Sequence, residues 1–244
     1  YYINEHEEGV DHIPPEKVTH INYAFADLLQ DGTVVIGDEF ADVNKAFGNE
    51  PPGAAFKGNF QQLKLLKEAY PHIKTLISVG GWTWSNHFSD VFANPDTRLT
   101  FCTSLLDFVE TYGFDGADID WEYPGDPGEG DNSYRPGEDG KNFVQTLELC
   151  SSLFQPAGKL LTIADSCSPG IYQTNEDLAG MHSYLDWINL MAYDFHGPWD
   201  PVTGHHSQLF SHATDPYQSS RFTGSECVVG HIAAGVPPDK INLG

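Results

Sequence analysis

Residues 115–125 read DGADIDWEYPG, and in this stretch Asp118, Asp120 and Glu122 occupy every second position. Residues two apart on a β-strand share a face, so the three acids would point one way and the apolar residues between them the other way. A carboxylate taken out of water without a partner is costly. The stretch therefore predicts a β-strand with a concentrated acidic face, and core packing does not explain these charges.

The spacing of these acids favours a proton-transfer site. Neighbouring carboxylates would lie roughly 6–7 Å apart along the strand, close enough for their side chains to interact. Like charges that close raise the pKa of at least one carboxyl group, which is what a general acid requires. The alternative is a solvated acidic edge or a cation site, since Asp-x-Asp pairs occur in calcium loops. Those loops are rich in Gly and Asn, whereas Ile119 and Trp121 indicate a packed strand.

The rest of the chain alternates short apolar strands with amphipathic helices. We expect strands over 1–4, 18–28, 72–82, 114–123, 159–167, 185–195 and 240–244, and helices over 59–70, 94–113, 141–154 and 225–235. This alternation implies a parallel sheet with right-handed crossovers, and hence an α/β fold. A (β/α)8 TIM barrel fits better than an open doubly wound sheet, because no Gly-rich phosphate turn follows the first strand. In a barrel Glu122 would lie nearest the carboxyl ends of the strands, where active sites are found.

The composition limits the possible partners. Lys and Arg total 12 against 35 Asp and Glu, so the 244 residues carry a net charge of −23. This charge disfavours nucleic acid and anionic membranes and suits a neutral or cationic ligand. No apolar run approaches the length of a membrane span. The cysteines, at 102, 150, 167 and 227, permit two disulfides without fixing their pairing, and buried free thiols are the alternative.

An acidic, Gly- and Pro-rich loop over 124–140 comes directly after Glu122. Its composition predicts a solvated surface loop. Two alternatives stay open from the sequence, a loop that forms the rim of the cleft and a calcium-binding loop.

DGADIDWE resembles the DGxDxDWE signature of glycoside hydrolase family 18, the chitinase family. SVGGW at 78–82 and MAYDFHGPWD at 191–200 are similar to two further family motifs, and INYAF at 21–25 resembles the second strand of the family. Several motifs in the correct order along the chain form a specific signature. The resemblance implies a (β/α)8 barrel, in which residues 1–244 are a partial catalytic barrel that lacks the end of strand seven and strand eight.

The resemblance implies hydrolysis of β-1,4 links between N-acetylglucosamine units with retention, the N-acetyl carbonyl oxygen of the substrate acting as nucleophile. Glu122 would protonate the glycosidic oxygen and then activate water. Asp120 would hydrogen-bond the acetamido N–H, and Asp118 would share a proton with Asp120. Tyr193 would hold the attacking carbonyl oxygen, and Asp194 would hold the distorted sugar.

The same resemblance implies a set of substrate-binding residues: Tyr1, Phe25, Ser78, Gly80, Gly81, Trp82, Tyr123, Met191 and Trp199. The aromatic rings of this set, above all those of Trp82 and Trp199, would stack on sugar rings. Trp121 and Trp187 are interpreted as packing residues that alternate away from the functional face. No metal ligands and no cofactor are expected.

The leading hypothesis is a secreted, extracellular and monomeric chitinase that acts on chitin or chitooligosaccharides. An endo-β-N-acetylglucosaminidase acting on N-glycan cores is the nearest enzymatic alternative, and whether action is exo or endo stays open. A chitinase-like lectin is the alternative from a different class, disfavoured because Glu122, Asp120 and Tyr193 are all present. We expect an acidic to neutral pH optimum, because the general acid must stay protonated.

Overall fold

The structure is a computed structural model that describes residues 9–173, 177–215 and 223–244. Its strands are β1 (His20–Leu28), β2 (Val34–Ile36), β3 (Lys74–Gly80), β4 (Gly116–Asp120), β5 (Leu160–Ser166), β6 (Trp187–Met191) and β7 (Ile241–Leu243). They form one sheet in the order β2-β1-β3-β4-β5-β6-β7, in which β2 is antiparallel to β1 and the other neighbours are parallel. Over the described ranges the sheet is not closed, as expected for a partial (β/α)8 barrel.

Helices connect the parallel strands, as the sequence pattern predicted. They are α1 (Gly58–Ala69), α2 (Phe88–Ala93), α3 (Pro95–Tyr112), α4 (Asp139–Phe154), α5 (Pro169–Tyr172), α6 (Leu178–Met181) and α7 (Gly224–Ala233). The predicted boundaries of α3 are confirmed, since the Asn94 side chain caps its first turn and Gly113 ends it with φ 76°. None of the helices in these ranges is both long and apolar enough to cross a membrane.

The helix-facing side of β4 is packed as the alternation predicted. Ile119 is completely buried, and Trp121 is nearly so. The Trp121 ring stacks on Phe88 with ring centroids 5.6 Å apart and meets Phe92 and Phe143 edge-on. This packing holds one face of β4 against the helices, so Asp118 and Asp120 point to the opposite, inner face of the sheet.

The amino-terminal part of the sheet differs from expectation. The strand expected over 1–4 lies outside the described residues. Although 18–28 reads as a buried strand, only Ala26 and Leu28 of β1 are buried, and β2 pairs with residues 26–28 of this strand. The short elements β2, α2, α5 and α6 were not predicted from the sequence.

The interpretation of Trp187 as facing away from the functional side is wrong. Trp187 lies two residues before Asn189 on β6, and its indole N–H donates to Asn189 Oδ1 at 3.0 Å. Its ring meets His20 edge-on across the lumen and lines a cavity of about 460 Å³ at the amino ends of the strands. Residues 187, 189 and 191 share one face of β6, so Trp187 lies on the same face as Met191, which lines the cleft.

All four cysteines are oxidised. The Cys102–Cys150 disulfide joins α3 to α4, and the Cys167–Cys227 disulfide joins the segment after β5 to α7. The sequence left free thiols as an alternative, and the structure excludes them.

A buried ion pair also links β5 to α7. His231 Nε2 lies 3.1 Å from Asp165 Oδ2, and His231 Nδ1 lies 2.8 Å from the carbonyl oxygen of Cys227. Both ring nitrogens face acceptors, so the doubly protonated imidazolium satisfies both contacts. Burial lowers the pKa of His231, but the hydrogen bond to Asp165 and the charge of that carboxylate outweigh it and raise the pKa.

Asp165→Asn should destabilise the protein by about 3–5 kcal/mol at acidic pH, because it leaves a buried imidazolium without its partner. A histidine whose pKa is raised by folding contributes stability that is complete below its unfolded pKa of about 6.5. This contribution is lost as the pH rises through the folded pKa. The destabilisation should therefore shrink at alkaline pH, which denaturant unfolding of both proteins across the pH range would measure.

The control for this prediction is Asp90→Asn, which breaks an exposed ion pair with Arg135 at 2.6 Å. Exposed pairs contribute about 0–1 kcal/mol, so this variant should show a small effect at every pH. A loss in Asp165→Asn that stays constant from acidic to alkaline pH would contradict an ionic role for His231.

Candidate active site

A cleft of about 960 Å³ opens at the carboxyl ends of the parallel strands. Among the residues expected from the sequence, its walls contain Phe25, Trp82, Asp120, Glu122, Tyr123, Met191, Tyr193, Asp194 and Trp199. Asp118, Ser78, Gly80 and Gly81 lie beneath this surface, and Tyr1 lies outside the described residues. Residues from four separate motifs thus meet in one cleft.

Asp118 is buried below the cleft and receives hydrogen bonds from three strands. Ser78 Oγ on β3 donates to Oδ2 at 2.8 Å, while Thr162 Oγ1 on β5 and Asn189 Nδ2 on β6 donate to Oδ1 at 2.6 and 3.0 Å. Burial raises the pKa of Asp118, and these three hydrogen bonds partly offset that effect. The deepest acid of the strand is therefore fixed in one position by its neighbours in the sheet.

Asp120 lies above Asp118 and is 7% exposed. Its Oδ1 has no hydrogen-bond partner within the described parts of the chain. Burial, followed by the charges of Glu122 and Asp118, raises the pKa of Asp120 well above its ordinary value. The crowding that the sequence predicted is present, whereas proton sharing between Asp118 and Asp120 stays a prediction.

Glu122 lies at the cleft surface, two residues after the end of β4. Burial raises the pKa of the Glu122 carboxyl, the hydrogen bond from Tyr123 opposes this effect, and the charge of Asp194 adds to it. The pKa of Tyr123 is itself raised by burial and by Glu122, so its hydroxyl stays a donor. A carboxyl group with a raised pKa on the wall of a cleft can carry a proton toward a bound ligand.

Tyr193 and Asp194 follow β6 and form another part of the wall. Burial and the charges of Asp120 and Glu122 raise the pKa of Tyr193 to about 12, so its hydroxyl is a donor at physiological pH. Asp194 has φ 57°, a conformation that is uncommon for residues other than glycine. Its Oδ1 lies 3.5 Å from Nε2 of His206, a residue that the sequence motifs did not indicate.

The two glycines of SVGGW shape the turn behind the cleft. Gly80 and Gly81 have φ values of 104° and 76°, which side-chain-bearing residues rarely adopt. A Cβ atom on Gly81 would lie 2.7 Å from the Phe25 ring, and one on Gly80 would meet the carbonyl oxygen of Asp120. The turn therefore packs closely against both Phe25 and the end of β4 because neither glycine carries a side chain.

Exposed aromatic rings give the cleft flat apolar surfaces. Trp82 is 46% exposed and Trp199 is 64% exposed, although large aromatic side chains are ordinarily well buried. The Trp82 ring centroid lies 6.3 Å from that of Tyr123, so these rings line the same region. Sugar rings, which have apolar faces and polar edges, suit such a surface.

Part of the cleft was not found from the sequence. The additional lining residues are Ser166, Cys167, Ser168, Ile171, Phe195 and Asp200. Thr162 and Asn189 were also missed, although each is a polar residue in an otherwise apolar strand. Counting every second residue inward along β5 and β6 would have placed both on the lumen face.

The acidic loop after Glu122 is anchored to the protein. Asp139 is completely buried at the start of α4 and accepts hydrogen bonds from Ser89 Oγ and from the backbone N–H groups of Gly125 and Arg135. Across the described residues, no three or more His, Cys, Asp or Glu side chains converge as in a metal site.

Comparisons with known proteins agree with this geometry. The chain matches the description Glycosyl hydrolases family 18 over residues 1–244. It is 38% identical to chitinase A1 of Niallia circulans, over 97% of this chain and 39% of that protein. It is also similar to the solved structure of chitinase ChiA74 from Bacillus thuringiensis, with a TM-score of 0.91, 37% identity, and coverage of 97% of this chain and 45% of that one.

A second similar structure is Ostrinia furnacalis Group IV chitinase in complex with allosamidin, with a TM-score of 0.85, 34% identity, and coverage of 97% of this chain and 60% of that one. The chain therefore spans less than two thirds of the length of each of these proteins. Because the match extends over the whole chain and includes the acidic strand and the cleft, this chain belongs to glycoside hydrolase family 18.

Proposed function

We propose that the protein is a chitinase that hydrolyses β-1,4 links between N-acetylglucosamine units with retention of configuration. One observation carries this proposal: Glu122 and Asp120, two carboxyl groups whose pKa values are both raised, lie on the cleft wall above the anchored Asp118. The printed names of similar proteins, chitinases from bacteria and an insect, support the same substrate class.

In the first step, Glu122 would donate its proton to the glycosidic oxygen while the bond from that oxygen to the anomeric carbon breaks. The acetamido carbonyl oxygen of the same sugar would form a new bond to the anomeric carbon, giving a cyclic oxazolinium ion. The substrate thus supplies its own nucleophile, so a single acid/base is needed on the protein. In the second step, Glu122 would take a proton from water as that water opens the ring and restores the acetamido group.

Two neighbouring residues fit the charge changes of this reaction. Asp120 lies on the cleft wall and has a buried oxygen that no described residue contacts by a hydrogen bond, which suits it to accept one from the acetamido N–H. Tyr193 keeps its hydroxyl proton and can donate to the carbonyl oxygen, holding it near the anomeric carbon. Groups fixed before the reaction starts stabilise developing charge without having to reorganise.

The proposal is tested with the protein expressed from its complete reading frame. We expect release of the fluorophore from a chitotriose glycoside, and no release from the matching glucosamine trimer, which lacks the acetyl group. Proton NMR of the first product formed should show the β-anomer, as retention requires. Equal cleavage of the two trimers would contradict substrate assistance.

Two other outcomes would replace the proposal. Glycan release from a high-mannose glycoprotein, without cleavage of chitotriose, would indicate an endo-β-N-acetylglucosaminidase. Binding of chitotriose by the folded protein without any turnover would indicate a lectin.

Trp199→Ala should raise the KM for long chitooligosaccharides by roughly two- to tenfold, since stacking of a ring on an aromatic side chain contributes about 0.5–1.5 kcal/mol. The thermal midpoint should not change, because this side chain is 64% exposed. Phe210→Ala is the matched control, as Phe210 is 68% exposed on the same connection but is not among the cleft-lining residues. An equal rise in KM for both variants would argue against a platform at Trp199.

Secretion to the cell exterior is part of the proposal, and the two disulfides support it because such bonds persist in oxidising compartments. Chitin, an extracellular polymer, is the corresponding substrate. Measurement of activity in the cell-free medium and in the cell extract of the producing organism would test this assignment.

A further inference from the structure

The position of Glu122 is not set by the sheet. The pairing of β4 with β3 ends at Gly80 and Asp120, and its pairing with β5 ends at Ile119 and Ile163. Glu122 therefore lies beyond the last strand hydrogen bond on both sides. Since a displacement of about 1 Å can reduce a rate by roughly 100-fold, something else has to fix its backbone.

Ser85 makes a hydrogen bond to the backbone of Glu122. It lies in the loop between β3 and α2 and is completely buried. The backbone N–H of Glu122 donates to Ser85 Oγ at 2.9 Å, and Ser85 Oγ donates to the carbonyl oxygen of Gly81 at 2.8 Å. The carbonyl oxygen of Asp120 lies 3.4 Å from the same hydroxyl and accepts the Gly81 N–H at 2.8 Å. One hydroxyl thus joins the end of β4 to the turn that presents Trp82.

The acidic loop holds the other side of the Glu122 peptide. Asn132 Nδ2 approaches the carbonyl oxygen of Glu122 at 3.4 Å. Ser133 donates through both its hydroxyl and its N–H to the carbonyl oxygen of Asn86, the residue after Ser85. The loop after Glu122 and the loop that contains Ser85 therefore contact each other and enclose this peptide.

We propose that Ser85 is a positioning residue for the reaction: its buried hydroxyl holds the backbone of Glu122 at a fixed distance from the Gly81–Trp82 turn. This inference rests on the proposed chitinase function and assigns to Ser85 a role that the acidic motif alone does not indicate. Ser85 acts through Glu122 and does not contact substrate.

Ser85→Ala removes the only side-chain group that the Glu122 N–H contacts in the described structure. We expect kcat to fall by about 10- to 100-fold while KM changes by less than about threefold, because the displaced group is the acid and not the sugar platform. The alkaline limb of the kcat/KM profile, where activity falls as Glu122 loses its proton, should move to lower pH. The reason is that contact with water lowers the pKa of Glu122 toward its ordinary value. The variant leaves unchanged the titratable groups that face Glu122, which are Asp120, Tyr123, Tyr193 and Asp194.

The matched control is Ser151→Ala on α4, where a serine that is 3% exposed accepts a hydrogen bond from Gln155 at 2.9 Å. This control also removes the hydroxyl of a buried serine and a partly buried hydrogen bond, and it should leave the alkaline side of the pH profile in place. Ser85→Thr, which keeps the hydroxyl, should restore the limb to its wild-type pH. If Ser85→Ala does not fold, Ser85→Cys takes its place, with the same expected displacement of the limb.

The outcomes separate this inference from the function on which it rests. No turnover of chitotriose glycoside by the folded wild-type protein would overturn the proposed function and this inference with it. Wild-type turnover, together with an unchanged kcat and pH limb in the folded Ser85 variant, would overturn the positioning role alone.

Discussion

Glu122→Gln is expected to lower kcat for chitotriose glycoside by about 10²–10⁴-fold, the usual contribution of a general acid/base. Glutamine has nearly the same shape as glutamic acid, but its amide cannot transfer a proton to the glycosidic oxygen. The residue lies half-buried on the cleft wall, so the substitution should leave the shape of the cleft intact. Binding of chitotriose, measured by calorimetry, should therefore change by only a few-fold.

The matched control for this substitution is Glu129→Gln. Glu129 is an exposed residue of the acidic loop seven positions further along the chain, and it is not among the residues that line the cleft. Its replacement should leave kcat within about twofold of wild type, as for ordinary surface substitutions. A Glu122→Gln protein that retains wild-type turnover would show that another group provides the proton.

Asp120→Asn should reduce activity and increase stability in the same protein. We expect kcat to fall by roughly 10²–10³-fold, because the variant lacks the charge that would stabilise the developing oxazolinium ion. At neutral pH the free energy of unfolding should rise, since a carboxyl whose pKa is raised by burial and by two like charges is unfavourable when ionised. Each kcal/mol gained would raise the thermal midpoint by about 2–4 °C.

The pH dependence of this stabilisation follows from the direction of the shift. Because the folded pKa of Asp120 is raised, the native state binds more protons than the unfolded state above about pH 3.9, and stability falls as the pH rises toward the folded pKa. Asparagine does not titrate, so the advantage of the variant should disappear near pH 4 and grow toward neutrality. Asp107→Asn, at an exposed site on α3, is the control and should show neither effect. A variant that is less stable than wild type at neutral pH would contradict the electrostatic account.

The acidic strand could be predicted from the sequence because a single rule governs it. Alternation placed Asp118 and Asp120 on one side and Ile119 and Trp121 on the other, and the burial of Trp121 against three phenylalanines confirms that side. The same rule gives the correct face for Trp187 when the count starts at Met191. That prediction failed because the alternation was assigned to β6 one residue out of phase.

Contacts between residues that lie far apart in the sequence could not be predicted from it. The pairing of Cys102 with Cys150 and of Cys167 with Cys227 depends on which helices lie side by side, and spacing along the chain does not encode that. The contact between Ser85 and the Glu122 N–H joins residues 37 positions apart across a loop with no repeating pattern. Such contacts become visible only when the sheet has brought the two loops together.

The hydrogen bonds that Asp118 accepts from side chains on β3, β5 and β6 also favour the correct register of these strands during folding. If β5 paired one residue out of step, Thr162 would turn toward the helices, and the same slip in β6 would remove Asn189. The buried carboxylate would then lose its donors, at roughly 1–3 kcal/mol for each unsatisfied group. Misaligned assemblies are thus penalised by a residue of the catalytic strand, and substitutions that weaken its donors would be expected to reduce folding yield as well as turnover.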